Sequence, residues 1–230
     1  MNKKFFLILL FLSSIFLFAF NSFAAEKKDK TEITGEKMEI KNKGKVSVFK
    51  GNAKVVRGIY NITADEMKYY KDKDEIDAKG KVKFYVKNDD GSIIKAKSSK
   101  AKYNTKNMSG KMWAGKPKVE YFVKGSTDAI VLYMDKLYLR ENFESAKAVG
   151  HVKIISSSGT ITSDNALLNK NNNSLFMTKE KNKPNVNLWQ KDKKANFKAD
   201  DISLLYNNKT IKMNKNVEGK VIFDNLEVEQ

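Results

Sequence analysis

The most constraining feature of this sequence is a short pattern that occurs six times along the chain. Each copy opens with a pair of residues that is usually small and then acidic, and it continues with apolar side chains at alternate positions. The copies occupy residues 35–40, 64–69, 98–103, 134–139, 163–168 and 199–204. A recurrence at intervals of 29 to 36 residues is typical of stacked units that bury their apolar faces against their neighbours. The pattern predicts an elongated modular molecule rather than a compact enzyme with one cleft.

Alternation of polar and apolar residues dominates the segments between and within these copies. In residues 81–86, for example, Val82, Phe84 and Val86 occupy every second position. In a strand they lie on one face, and the residues between them lie on the other. Turn-forming clusters at residues 88–91, 156–159 and 169–174 separate such segments. After the first 24 residues no stretch sustains a helical period. We therefore expect an all-β fold of about twelve strands in six strand–turn–strand repeats.

A glycine recurs just before the second strand of five of the repeats. The five positions are Gly51, Gly80, Gly115, Gly150 and Gly219. Glycine inside a strand pattern usually marks a bulge or a bend, so each repeat is expected to kink there. The fifth repeat has Pro184 in the corresponding region. Two curved β layers then have their apolar residues between them, either as a sandwich core or as the lining of an open trough; the sequence leaves both possibilities open.

The residue types argue against catalysis. The chain has one histidine and no cysteine, which excludes thiol catalysis and metal sites built from these ligands. His151 occupies a position that holds lysine in sister repeats, so we expect a surface strand residue. The recurrent acids at Asp65, Asp135, Asp164 and Asp200 are expected to cap the turns in which they lie. The sequence predicts no enzyme, no metal site and no cofactor.

The first 24 residues are typical of a secretory signal peptide. Two lysines precede an apolar run at residues 5–20, and small residues at 22 and 24 fit a cleavage site after Ala24. The alternative is an uncleaved membrane anchor, although the run is shorter than the roughly 20 residues of a spanning helix. We expect a signal peptide at residues 1–24 and one repeat domain at residues 25–230.

The formal net charge is +17 and comes almost wholly from lysine. Lysines that alternate with apolar residues form the solvated face of strands and protect exposed edges, and they also suit an anionic partner. Arg57 is the single arginine before residue 140, whereas nucleic-acid readout favours clustered arginines. We expect no nucleic-acid partner.

Several segments together resemble the OstA-like repeat of the LptA family. Residues 62–69 and 78–84 carry the most complete copy, and the pattern returns in residues 49–55, 161–164 and 197–200. The resemblance spans residues 33–223. It implies an elongated, open β-jellyroll whose apolar interior shields the acyl chains of lipopolysaccharide in the periplasm. It also implies head-to-tail assembly of copies, and contact with related β-jellyroll proteins in the transport complexes of the inner and outer membranes.

On this basis the expected function is periplasmic lipopolysaccharide binding and transport between the two membranes. One alternative is a component of the same system that is anchored in the inner membrane like LptC. Another is a structural or adhesive β-solenoid with a closed core. The residues expected to line an apolar binding trough are Met38, Ile40, Val48, Val55, Met67, Tyr69, Val82, Phe84, Val86, Val119 and Tyr121.

Overall fold

The computed structural model describes residues 30–140, 145–169, 172, 174–190, 193–205 and 210–223. The predicted signal peptide lies outside these residues. Within the described part, no helix is long and apolar enough to cross a membrane.

The described residues form one sheet of 18 strands whose registered pairs are all antiparallel. The first nine strands are β1 (Glu32–Thr34), β2 (Lys37–Lys41), β3 (Val46–Arg57), β4 (Tyr60–Tyr70), β5 (Glu75–Lys87), β6 (Ile93–Asn104), β7 (Ser109–Trp113), β8 (Lys118–Phe122) and β9 (Ala129–Tyr133). The others are β10 (Lys136–Arg140), β11 (Ser145–Ser156), β12 (Gly159–Asn169), β13 (Ser174–Thr178), β14 (Asn185–Gln190), β15 (Lys193–Lys198), β16 (Asp201–Leu205), β17 (Thr210–Asn214) and β18 (Glu218–Phe223). Single 3-10 turns lie at Asn42–Gly44 and Lys71–Lys73.

Within its described residues the chain crosses the molecule twelve times, and we call each crossing a rung. Six rungs are long strands, namely β3, β4, β5, β6, β11 and β12, and the other six consist of two short strands with a corner between them. One part of every rung pairs within a first layer and the other part pairs within a second layer. The first layer contains β2, β7, β10, β13, β16 and β17, and the second contains β1, β8, β9, β14, β15 and β18. The all-β fold and the antiparallel repeats are thereby confirmed, and the parallel coils of a β-solenoid are not what the described strands form.

The rungs bend where they pass between the layers, and we call the line of these bends the spine. The register shifts at the spine between Lys50 and Ala53, between Lys79 and Val82, and between Val149 and Val152. These shifts contain the predicted kink glycines. Gly80 adopts a φ of +76° and Lys81 follows with +43°, so two successive left-handed residues turn the strand from one layer into the other.

The last rung differs from the prediction. Gly219 does not adopt a positive φ; it lies within β18 opposite Phe197. The left-handed pair is instead Lys215–Asn216, with φ values of +60° and +47°. Asparagine tolerates this conformation better than most residues, and the recurrence of Gly-Lys in the sequence concealed the true corner. Pro117 and Pro184 lie at corners immediately before β8 and β14, where the missing N–H interrupts no ladder bond.

The recurrent acids connect successive rungs along the spine. Asp135 Oδ2 lies 2.8 Å from His151 Nδ1 on the next rung, and Asn216 Nδ2 donates to Asp200 Oδ2 at 2.7 Å. Asp164, whose neighbouring rung lacks the glycine, accepts the backbone N–H groups of Lys181 and Asn182 at 2.7 Å each. The prediction that the acids cap the turns in which they lie is therefore corrected for Asp135, Asp164 and Asp200, because each of them contacts the corner of the following rung. The role is structural, as expected.

Candidate functional site: the interior between the two layers

The inward faces of both layers carry rows of apolar side chains that run along the molecule. Directly opposite residues of an antiparallel pair share one face of the sheet, so the register identifies each row. The first-layer row contains Phe49, Met67, Ala78, Ala101, Met112, Leu137 and Ala148. The second-layer row contains Val55, Ile62, Phe84, Ala96, Val119, Leu132, Ile154, Ile161 and Val186. Together they form one continuous apolar interior.

The two layers meet on the rungs that lie between the two ends of the array. Met67, Met177, Val186 and Ile202 are each fully buried, and residues of both layers belong to the same core cluster. The sequence left open whether the space between the layers is a sandwich core or an open trough. In this conformation it is a core, because the protein's own side chains fill it. A guest in the central rungs must separate the layers or displace these side chains.

The interior is exposed at both ends of the array. On the first rung, Met38 and Ile40 point inward and are 54% and 65% exposed. On the last rung, Val221 lies opposite the core residue Ala195 and is 40% exposed. Within the described residues the register pairs β1 and β2 only with β3, and it pairs β17 and β18 only with β16 and β15. The apolar face is therefore left uncovered where the stack begins and where it ends.

The eleven predicted lining residues fall into four groups. Met38 and Ile40 are inward and exposed, while Tyr69, Phe84 and Val119 pack against the core and are partly buried. Five lie within the buried core, and these are Val55, Met67, Val82, Val86 and Tyr121. The structure thus brings ten of them to the interior. Whether they contact a ligand remains a proposal.

Val48 is the exception among the predicted residues. It lies opposite Glu39 on β2 and Lys68 on β4, on the outward face of the first layer, although it is buried there. Its neighbour Phe49 points inward instead. Two successive apolar residues fit the alternation in either register. The adjacent bulge at the spine interrupts the alternation, so the residues beyond it do not show which of the two points inward.

The free edges of the layers, opposite the spine, carry polar groups. Asn88 Nδ2 donates to Ser92 Oγ at 2.9 Å, and Ser92 Oγ donates to Asp90 Oδ1 at 2.7 Å. Burial raises the pKa of the nearby Tyr121 hydroxyl to about 12. Burial likewise raises the pKa of Tyr103, an effect that the neighbouring Arg57 guanidinium partly offsets.

These edge groups give the interior a graded polarity, with aliphatic side chains towards the spine and hydroxyl and amide groups towards the free edges. Residues 88–91 were expected only as a turn, and Tyr60 and Tyr103 were not predicted as lining residues. Their inward direction follows from the register with Val86 and with Ile76. The alternation that predicted an inward Phe84 applies equally to Tyr60 and Tyr103, and it could have identified them as lining residues.

The described residues contain no metal-binding cluster that would indicate a different function. Among them, no group of three or more histidine, cysteine, aspartate or glutamate side chains could hold a metal ion. The Asp135–His151 pair stands on the exposed spine rather than in a pocket. The arrangement is suited to apolar contact and to hydrogen bonding at the edges.

Comparison with known proteins gives two findings. No curated protein matches the chain significantly. Among solved structures, LptH, the LptA homologous periplasmic component of the lipopolysaccharide transport device from Pseudomonas aeruginosa, matches with 10% sequence identity and a TM-score of 0.30. The match covers 63% of this chain and 79% of that chain, and a TM-score of this size carries no argument about function or detailed geometry.

A family model matches the N-terminal part of the described sheet. Residues 32–126, which extend from β1 past β8, match the family described as LptA/(LptD N-terminal domain) LPS transport protein. This segment contains the most complete copies of the repeat, at residues 49–55, 62–69 and 78–84, and the resemblance read from them is confirmed. Residues 32–126 are therefore similar to the domain that LptA shares with the N-terminal part of LptD.

Proposed function

We propose that this protein is a periplasmic carrier that binds the acyl chains of lipopolysaccharide between its two β layers. The observation that carries the proposal is the continuous apolar interior, which extends through all rungs and is exposed at both ends. The family of residues 32–126 is a lipopolysaccharide transport family, which supports this ligand and supports binding rather than catalysis.

The exposed inward residues of the first rung are the proposed point of entry. Met38 and Ile40 already present apolar surface to water, so an acyl chain placed on them loses water contact without disturbing the core. Each buried methylene contributes about 0.8 kcal/mol. An acyl chain that moves further into the central rungs must displace core contacts. The free energy gained by burying its methylene groups offsets that cost.

Bridging of the two membranes is proposed to proceed by end-to-end stacking. Strand edges with unused backbone groups pair readily with another edge, and a contact between unlike ends continues instead of closing. The β17–β18 end of one copy would then lie against the β1–β2 end of the next copy, or against the corresponding edge of a related β-jellyroll protein. Stacking in this way would cover Val221 and Ile40 and join the two interiors.

Displacement of an apolar fluorescent dye tests the carrier proposal. Intact lipopolysaccharide is expected to displace the dye, and the deacylated saccharide is not. Ile40→Asp should weaken binding by about tenfold or more, since burial of one isoleucine contributes roughly 1.5–3 kcal/mol. Ile222→Asp is the matched control, because Ile222 is 41% exposed but lies opposite Lys194 on the outward face. Equal loss in both variants, or equal displacement by the deacylated saccharide, would refute the proposal.

The N-terminal sequence of the protein isolated from cells distinguishes the carrier from the anchored alternative. A start at Ala25 is expected for a free periplasmic carrier. A start at Met1 would instead indicate a tethered component of the same system.

A further inference from the structure

The outward face of the first layer differs in charge from the outward face of the second layer over the same rungs. We call the outward residues of β7, β10, β13 and the first-layer parts of β11 and β12 the basic face. Its cations are Lys111, Lys136, Arg140 and Lys147, and its apolar members are Trp113, Tyr138, Val149, Leu167 and Phe176. Among the described residues of these strands, no carboxylate shares this face.

Cations and apolar side chains alternate along the basic face. Lys111, Tyr138, Lys147, Leu167 and Phe176 are successive neighbours across the sheet, so this row spans about 19 Å at the usual strand spacing. Leu167 and Phe176 lie directly opposite each other and are 38% and 39% exposed. The basic face is therefore a surface on which apolar side chains lie between cations.

The lysines of this face retain their charge for an external partner. Within the described residues no carboxylate lies within ion-pair distance of Lys111, Lys136 or Lys147. Lys111 Nζ lies 4.8 Å from the ring centroid of Trp113 and 5.5 Å from that of Tyr138, and this contact holds the ammonium group beside the aromatic surface.

On the outward face of the second layer, over these rungs and the next one, polar groups pair with one another. Lys118 forms an ion pair with Glu120 on β8. Asn196 on β15 donates to Asn185 and Asn187 on β14, at 2.6 Å in each case. The two outward faces therefore differ, although the whole chain is basic.

We propose that the basic face docks the protein on an anionic bilayer surface. Aromatic side chains with a polar edge lie favourably at the boundary between headgroups and acyl chains, and each lysine or arginine near an anionic leaflet adds attraction. The absence of carboxylates from the described basic face removes the repulsion that such a surface would otherwise meet. This docking uses the outside of the sheet and does not depend on lipid carriage in the interior.

Vesicle flotation of the full chain tests the proposal. We expect the protein to float with vesicles that contain phosphatidylglycerol and to remain in solution with vesicles of phosphatidylcholine alone. Binding should fall steeply as salt rises towards about 0.5 M, where the screening length is a few ångströms. Equal binding to both vesicle types, or no binding to either, overturns the proposal.

Two double variants and a matched control locate the surface. Lys111→Glu with Lys147→Glu should weaken binding to anionic vesicles by at least about tenfold, and Leu167→Ser with Phe176→Ser should weaken it at unchanged net charge. The control is Lys83→Glu with Lys97→Glu, which changes the net charge equally on the outward face of the second layer. An equal loss in the control would show that total charge rather than the basic face governs binding, and would overturn the proposal. Circular dichroism of each variant verifies that the sheet is retained.

Discussion

Gly80→Ala tests the physical account of the spine. Gly80 has a φ of +76°, and an added Cβ would lie 2.9 Å from both Cβ and Cγ of Asp65 on the preceding rung. A left-handed alanine costs about 1–2 kcal/mol, and forcing atoms into a packed site adds about 1–3 kcal/mol. We therefore expect Gly80→Ala to lower the free energy of unfolding by about 2–5 kcal/mol.

Gly44→Ala provides the matched control, because Gly44 also has a positive φ, +88°, but an added Cβ there meets nothing within 4 Å. It should show only the conformational cost of about 1–2 kcal/mol. Denaturant titrations followed by circular dichroism measure both variants. In an Asp65→Ala background, which removes the carboxyl group, Gly80→Ala should cost about 1 kcal/mol less than in the wild type. Equal costs for Gly80→Ala and Gly44→Ala, or full additivity with Asp65→Ala, would refute the proposed contact between the acid and the glycine.

Three further results are expected. Met67→Ala should lower the free energy of unfolding by about 2–5 kcal/mol, because Met67 is fully buried between the layers; a loss under about 1 kcal/mol would show that the layers do not meet there. The N–H groups of Asn182 and Lys181 lower the pKa of Asp164 to about 2, so its contribution is present above its ordinary pKa near 4 and is lost as the pH falls towards 2. The difference in unfolding free energy between wild type and Asp164→Asn should therefore shrink over that range, and a difference that grows on acidification would contradict the assignment. Removal of residues 218–230 should abolish end-to-end assembly in light scattering while dye binding is retained, and unchanged assembly would argue against stacking through β18.

The fold class was predictable because period-two alternation and glycine kinks are local signals. Val82, Phe84 and Val86 alternate without interruption, and the structure places all three inward. Gly80 and Gly150 supply a conformation that few other residues adopt at low cost, so their positions indicated the corners.

The remaining features depend on pairing between rungs. Val48 and Phe49 are adjacent apolar residues, and only the register with Glu39 and Met67 shows which of them points inward. The corner at Lys215–Asn216 lacks glycine, and the sequence offered Gly219 instead. The partners of Asp164 lie 17 and 18 residues away, on a rung that has no repeat glycine. Whether the two layers meet is also a property of their packing, which alternation within a strand does not determine.

Site-specific photo-crosslinking to lipopolysaccharide tests the central claim most directly. A photoreactive residue would replace Ile40 or Phe84, which point inward, or Lys83, which neighbours Phe84 and points outward. The account predicts capture at positions 40 and 84 and none at position 83, with Ile40 the stronger because it is exposed before any ligand enters. Equal capture at positions 83 and 84 would contradict a binding site between the layers.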